Sequence, residues 1–246
     1  FREGLTWSGM SSSYVSYRYL EAGGIFDSNK GPMIFAKSSK PSLEYALGIL
    51  NTKVSNLYTQ LLNPTVSTQI GDVIQIPINY VESKATFIEK MSKDNVVISK
   101  LDWDAHETSW DFKWNPLLER MNDCGQNVAD LDMLDEEDKA EILANIQVPT
   151  NAHLLNDVVE AYKHHWEKKF KLLHANEEEL NRQFIEIYGL QDELTPDVPL
   201  DEVTILQKGE IDIVNGQIVW NEGIIIKQLI SYVVGCFMGR YSLDKP

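Results

Sequence analysis

The chain has 246 residues, 43% of them hydrophobic and 10% aromatic, and a formal net charge of −15. Enough apolar material for a core excludes wholesale disorder, and two cysteines, Cys124 and Cys236, exclude a disulfide scaffold or a cysteine-based zinc site. The longest apolar stretch, Ile224 to Met238, is interrupted by Lys227, Gln228 and Ser231 and is too short to span a bilayer, so no membrane association is expected. The first residue is Phe1 rather than Met, and the sequence is expected to be a piece of a longer protein.

The charge is unevenly placed. Residues 1–80 carry +1 and residues 81–246 carry −16. A strongly acidic total argues against nucleic-acid binding, but a near-neutral first third does not. The two parts are expected to meet different partners.

In chain order, residues 1–36 predict short strands at Thr6–Trp7, Tyr14–Tyr19, Ile25–Phe26 and Met33–Phe35, with turns at Gly9, Gly23-Gly24 and Gly31-Pro32. In the second strand Val15, Tyr17 and Tyr19 share one face and Tyr14, Ser16 and Arg18 the other. Ser42 is an N-cap, followed by Leu43, Leu47, Leu50, Val54, Leu57 and Leu61 on one stripe of a helix of about five turns. Asn63-Pro64 ends it. Val73, Ile74, Ile76 and Ile78 with Pro77 predict an edge strand. Residues 82–95 predict a short polar helix, and 101–118 a tryptophan-rich acidic segment without a period.

Residues 127–147 predict an acidic helix, and Asn151 to Tyr188 one long helix or a helical hairpin capped by Gly189. Asn215-Gly216 predicts a hairpin between Ile211–Val214 and Gln217–Trp220. Residues 223–238 predict an apolar helix. There is no internal repeat. The expected fold class is α+β: a small mixed β segment with a packed helix, then a mostly α-helical acidic region. The expected divisions are 1–80, a connector over 81–118, and 119–246.

Several chemistries lack their residues. No glycine-rich turn follows a strand as a nucleotide or S-adenosylmethionine site requires; Gly23-Gly24 lacks the third glycine and the helix. The base-flipping Asn/Asp-Pro-Pro-aromatic turn is missing too, since Asn63-Pro64-Thr65 and Asn115-Pro116-Leu117 lack the second proline and the ring. Neither Gly-x-Ser-x-Gly nor His-Glu-x-x-His occurs. No catalytic, cofactor-binding or metal-ligating residue is assigned. Asp102, Asp104, Glu107 and Asp111 beside His106 form a carboxylate cluster with a cation as one reading. The simpler reading is a solvated acidic loop anchored by Trp103, Trp110 and Trp114. His164 and His165 point about 100° apart on a helix and do not share a metal. Cys124 and Cys236 read as reduced thiols.

Residues 6–19 instead combine hydroxyls, aromatic rings and one guanidinium on a turn-rich β framework, and Asn63, Thr65, Ser67, Thr68 and Gln69 form a second polar loop. Hydroxyls hold phosphates, Arg reads guanine edges, and Asn and Gln pair with adenine edges. The candidate DNA-contacting residues are Trp7, Ser8, Ser11, Ser12, Ser13, Tyr17, Arg18, Lys30, Asn63, Thr65 and Gln69. Ordinary polar turns and core tyrosines would look the same.

Longer runs carry a family resemblance. Gly4 through Ser13, Tyr17-Arg18-Tyr19 and Gly24 through Asp27 resemble the target-recognition region of the PglX family, the adenine-specific DNA methyltransferases of type 1 BREX phage-defence systems. Leu47 through Val54, Leu62 through Thr65 and Gln69 through Pro77 resemble the TaqI-like specificity module that also occurs in fused restriction–modification enzymes. Asp102 through Phe112, Tyr188 through Pro196 and Ile230 through Asp244 resemble the same family more closely.

The resemblance implies a fragment that reads double-stranded DNA through residues 1–80 and is not catalytic alone. The cofactor loop and base-flipping turn are then expected in a catalytic half of the same parent chain, which binds S-adenosylmethionine; this chain is expected to hold no cofactor. The resemblance also implies a cytoplasmic protein in contact with other BREX components. The alternative function is a protein-interaction module that docks the methyltransferase onto those components. A metal nuclease using residues 102–111 ranks last, because no basic catalytic residue accompanies the cluster.

Overall fold

The computed structural model describes residues 2–11, 14–27, 30–123 and 155–241. The helix expected over 127–147, Cys124, Ser12 and Ser13 lie outside the described residues. The chain forms two compact units, one from residues 1–99 with 172–203 and the other from 100–171 with 204–246. The fold class is α+β, as expected.

In the first unit β1 (Gly4–Trp7), β2 (Tyr17–Leu20) and β3 (Met33–Ile34) make one sheet in the order β2-β1-β3, with Thr6 opposite Arg18 and Trp7 opposite Tyr17. The sheet is antiparallel throughout rather than mixed, because each strand folds back on β1 across a connection with no crossover helix. The alternation holds: Leu5, Trp7 and Tyr17 are buried, while Arg18 is exposed. The expected strand at Ile25–Phe26 does not form. Ile25 lies almost fully in solvent, and among the described residues the pairing nearby is Asp27 with Gly31.

The stripe from Leu43 to Leu61 is divided between two helices, α1 (Leu43–Leu50) and α2 (Lys53–Leu62). Ser42 caps α1, its hydroxyl accepting the Tyr45 N–H at 3.1 Å. All of α1 except Glu44 is buried, which makes it a core helix rather than an amphipathic one. Gly48 allows α1 to approach its neighbour, since a Cβ there would lie 2.7 Å from Ser92 Oγ. The break falls at Asn51-Thr52. The Asn51 side chain bonds the backbone of Tyr17 while its Nδ2 also donates to the Leu47 carbonyl of α1 at 3.3 Å, and the Thr52 hydroxyl donates to the Ile49 carbonyl at 2.6 Å. Short polar side chains compete with the helix backbone in this way. After the break the buried positions are Val54, Ser55 and Thr59, and Leu61 is exposed.

The strand expected from Val73 to Ile78 is not present. Residues Ile70–Val73 form a short helix, α3, and turns continue it to Ile76, whose N–H donates to the Val73 carbonyl. Val73 and Ile76 are buried and Ile74 is exposed, a three-residue spacing rather than alternation. Residues 77–81 are held by phenols instead of a strand. Tyr188 Oη donates to the Pro77 carbonyl and accepts the Asn79 N–H, and Tyr45 Oη donates to the Asn79 carbonyl.

Helix α4 (Glu82–Asp104) runs nine residues beyond its expected end. It contains no Gly or Pro to stop it, and Ala85, Ile88 and Ile98 are buried along it together with two polar residues, Ser92 and Asp102. After α5 (Pro116–Asp123), residues Leu155–Tyr188 form one continuous helix, α6, not a hairpin. Gly189, at φ +66°, ends it, and the Leu190 N–H bonds back to the Ile185 carbonyl at 3.0 Å. In the second unit β4 (Ile211–Val214) and β5 (Gln217–Trp220) form the expected hairpin. Asn215 and Gly216 both take positive φ, as that tight turn requires. Helix α7 (Glu222–Phe237) follows.

Candidate nucleic-acid interface

The two polar segments singled out in the sequence lie side by side in the first unit. Residues 9–11 run antiparallel to 66–68. The Ser11 N–H donates to the Val66 carbonyl at 2.9 Å, the Thr68 N–H to the Gly9 carbonyl at 3.1 Å, and Met10 pairs with Ser67. Trp7 fastens this ribbon from below, its indole N–H reaching the Thr68 carbonyl at 3.3 Å.

Strand alternation then decides which side chains face solvent. Thr6, Ser8 and Met10 follow one another on one side of the chain, Arg18 stands across from Thr6, and Ser67 across from Met10. Arg18 Nη1 donates to Ser8 Oγ at 3.4 Å, Lys30 Nζ lies 3.8 Å from Met10 Sδ, and Gln69 Nε2 donates to Ser67 Oγ at 2.6 Å. One face thus gathers Ser8, Arg18, Lys30 and Gln69. Neither cation meets a carboxylate among the described residues, although Lys40, Lys84, Lys93, Lys100, Lys163, Lys171 and Arg182 all do.

The other candidates are placed differently. Trp7 and Tyr17 are buried, with ring centroids 5.8 Å apart, so they support the face and are not on it. Burial pushes the Tyr17 phenol well above its usual range. Asn63 is turned inward. Its amide donates to the Ser67 carbonyl and to Asp72 Oδ2, and its oxygen accepts from the Thr65 N–H and hydroxyl, so it closes the loop. Thr65 is exposed but spends its hydroxyl on Asn63. Ser11 Oγ donates to the Tyr14 carbonyl. Met10, which polarity does not pick out, lies at the centre of the face. The signal for it is its place in the Thr6, Ser8, Met10 alternation.

The acidic cluster of residues 102–111 is neither a solvated loop nor a set of ligands pointing at one place. Asp104 and Asp111 share Lys100, at 2.8 and 3.1 Å. Asp102 is buried and accepts the Leu206 N–H at 2.9 Å. His106 is buried between two acceptors, with Nδ1 2.6 Å from the Asp102 carbonyl and Nε2 2.5 Å from Glu210 Oε1. Gln228 Nε2 and the Lys208 N–H complete the shell of Glu210, a fully buried carboxylate. The reason is that α4 continues through Asp102 and turns that side of the segment inward. The tryptophans do not act together as its anchor: Trp110 is fully exposed, Trp103 is half exposed with Lys208 Nζ over its ring at 5.2 Å, and Trp114 donates to Glu119. His165 lies against Arg120 and Trp166 while His164 is exposed. Among the described residues no three His, Cys, Asp or Glu side chains are arranged to hold a metal, and no helix is long and apolar enough to cross a membrane.

No family model matches the chain. Curated relatives do, and the class they share is adenine-specific methyltransferase. The chain is 34% identical over 250 residues to the adenine-specific methyltransferase PglX of Lacticaseibacillus casei (strain Zhang), and 28% identical over 248 residues to the adenine-specific methyltransferase BrxX of Escherichia coli O9:H4 (strain HS). Both matches cover the whole chain but only 17% and 18% of the relatives' lengths. The resemblance carried by the residue runs is therefore borne out: the chain is similar, end to end, to one segment of much longer methyltransferases.

Proposed function

We propose that this chain is the sequence-recognition part of a site-specific adenine-N6 DNA methyltransferase of a phage-defence or restriction–modification system. Residues 1–80 are the part that meets double-stranded DNA. The observation that carries this reading is the exposed face of Ser8, Arg18, Lys30 and Gln69, whose two cations meet no carboxylate among the described residues, in a chain of net charge −15. Arginine and glutamine are side chains that read base edges, and lysine and serine hold phosphates. In this reading residues 81–118 connect, and the charge of the acidic part is either turned away from the duplex or offset by the catalytic half. The catalytic half of the same cytoplasmic protein binds S-adenosylmethionine, and this chain alone neither binds it nor methylates.

The test is methylation-site sequencing in cells carrying the full-length methyltransferase. Arg18→Ala is expected to weaken methylation and relax specificity at one base pair, by about 1–3 kcal/mol if Arg18 meets a guanine. Replacing Asp135, Glu136, Glu137 and Asp138 by neutral residues is expected to leave the motif unchanged. A changed motif in the acidic variant, with motif and activity unchanged in Arg18→Ala, overturns the assignment. Calorimetric titration of this chain with S-adenosylmethionine is expected to be flat; micromolar binding contradicts a non-catalytic fragment.

A second reading, docking onto other components of the defence system, is favoured by Trp110. A fully exposed tryptophan in an acidic segment is the residue type that most often anchors protein interfaces.

A further inference from the structure

Met10 is an apolar side chain, 60% exposed, in the middle of a hydrogen-bonding face. Single exposed apolar residues are ordinary on protein surfaces. Met10 differs in being held in place. Its backbone lies in the ribbon closed by Ser11 N–H to Val66 at 2.9 Å and Thr68 N–H to Gly9 at 3.1 Å, and that ribbon is pinned by the Trp7 indole. Its thioether stands 3.8 Å from Lys30 Nζ, next to Ser8 in the alternation and opposite Ser67, which holds Gln69. Among the described residues its neighbours on this face, Ser8, Lys30 and Ser67, are all polar, and more than half of the methionine lies in solvent.

We propose that Met10 is a specificity-determining residue that reads the 5-methyl group of a thymine in the major groove. The proposal rests on the recognition function given above. In that groove the bases present donors, acceptors and one apolar feature, the thymine methyl. Arg18 and Gln69 match the polar edges, Lys30 and Ser8 match phosphates, and Met10 is the exposed apolar side chain on this side of the chain, among the described residues, that matches the methyl. A long unbranched, polarisable side chain suits such a contact because it adjusts to the base step without strain.

The experiment uses the full-length methyltransferase and duplexes carrying its own recognition site, with each thymine replaced in turn by uracil, which removes only the methyl group. Every adenine target supplies at least the thymine opposite it. For the unaltered enzyme one replacement is expected to lower kcat/KM about fourfold, the effect of burying one methyl group. Met10→Ala is expected to lower the rate on the thymine duplex by a similar factor and to respond no further to uracil. Met10→Leu, which keeps an apolar side chain, is expected to restore the sensitivity. The proposal is overturned if no uracil replacement affects the unaltered enzyme, or if Met10→Ala keeps the full sensitivity. Failure of the underlying reading looks different: Arg18→Ala and Met10→Ala would then both leave DNA binding and the methylated motif unchanged.

Discussion

The carboxamide of Asn51 engages both backbone groups of Tyr17, Oδ1 accepting the N–H at 2.9 Å and Nδ2 donating to the carbonyl at 3.0 Å. Tyr17 opens β2, an edge strand of the three-stranded sheet, and the outward groups of an edge are ready to pair with another chain. Asn51 fills one rung of the ladder and couples the end of α1 to the sheet beneath the candidate face. Asn51→Ala is expected to lower stability by about 1–3 kcal/mol, because two backbone groups lose their partner. Asn51→Asp, which keeps an acceptor but no donor, should fall between. Urea unfolding of the three proteins measures this, and an unchanged midpoint for Asn51→Ala contradicts it.

The division of the leucine stripe gives a paired prediction. Leu50 is 1% exposed and Leu61 is 72% exposed. Leu50→Ala is expected to cost about 2–5 kcal/mol, the range for a buried leucine. Leu61→Ala should change stability by less than about 0.5 kcal/mol. Equal melting temperatures for the two variants would mean that the stripe is one continuous buried face after all.

Asn51 also shows what the sequence makes legible. Local signals worked where one residue type has one backbone use. Asn215-Gly216 makes the hairpin, Ser42 the cap and Gly189 the helix end. The two cysteines carried little either way. The misses have a common cause, a partner far away in the chain. The helix break at Asn51 depends on Tyr17, and the absence of a strand around Pro77 depends on the phenols of Tyr45 and Tyr188. For the candidate face, residue chemistry picked out Ser8, Arg18, Lys30 and Gln69, which lie exposed, together with Trp7, Tyr17 and Asn63, which do not. Those three bear the same functional groups and are used inward. Alternation alone separates Tyr17 from Arg18.

The inward position of Tyr17 has its own test. Its hydroxyl is buried with no hydrogen-bond partner among the described residues, so Tyr17→Phe removes a polar atom that contributes nothing. Stability is expected to be unchanged or raised by about 1 kcal/mol, and the methylated motif of the full-length enzyme should stay the same. A motif change on loss of one oxygen would put the phenol on the DNA.

His106 and Glu210 predict a pH dependence in the second unit. Both ring nitrogens of His106 face acceptors, so the pair requires the imidazolium. Burial opposes that charge, but the hydrogen bond and charge of Glu210, with Asp102 beside it, raise the imidazole above its ordinary value. Burial likewise disfavours the Glu210 carboxylate, and hydrogen bonds from His106 and Gln228 outweigh it and hold the group low. Stability from His106 is full below about pH 6.5 and is lost as pH rises through its raised value. Stability from Glu210 is present above about pH 4.5 and is lost as pH falls through its lowered value. His106→Gln is expected to cost about 3–5 kcal/mol near pH 6 and to flatten the alkaline limb. An alkaline limb of the same slope in the variant would show that another group carries it.

Glu177 in α6 works in the opposite sense. Burial, with the charge of Glu202, pushes its carboxyl up to about 7. A raised carboxyl favours folding while protonated, and that contribution is lost as pH rises from its ordinary range through about 7. Glu177→Gln is therefore expected to be more stable than the parent at pH 8 by about 1–3 kcal/mol and indistinguishable at pH 4. A constant difference across that range would refute the assignment.

Among the described residues, the face that holds Arg18 and Lys30 shows those two cations without a carboxylate partner. Each phosphate neutralised by a protein releases condensed counterions, and binding weakens with salt by a slope of about 0.9 per contact. With Arg18 on a base edge and Lys30 on a phosphate, this face contributes a slope of about 1, shallow beside that of proteins that hold DNA by charge. On the proposed function, a surface built this way would discriminate between sequences while contributing little grip. Salt would then tune how long the enzyme stays on DNA through its other parts, and leave the choice of site nearly unaltered.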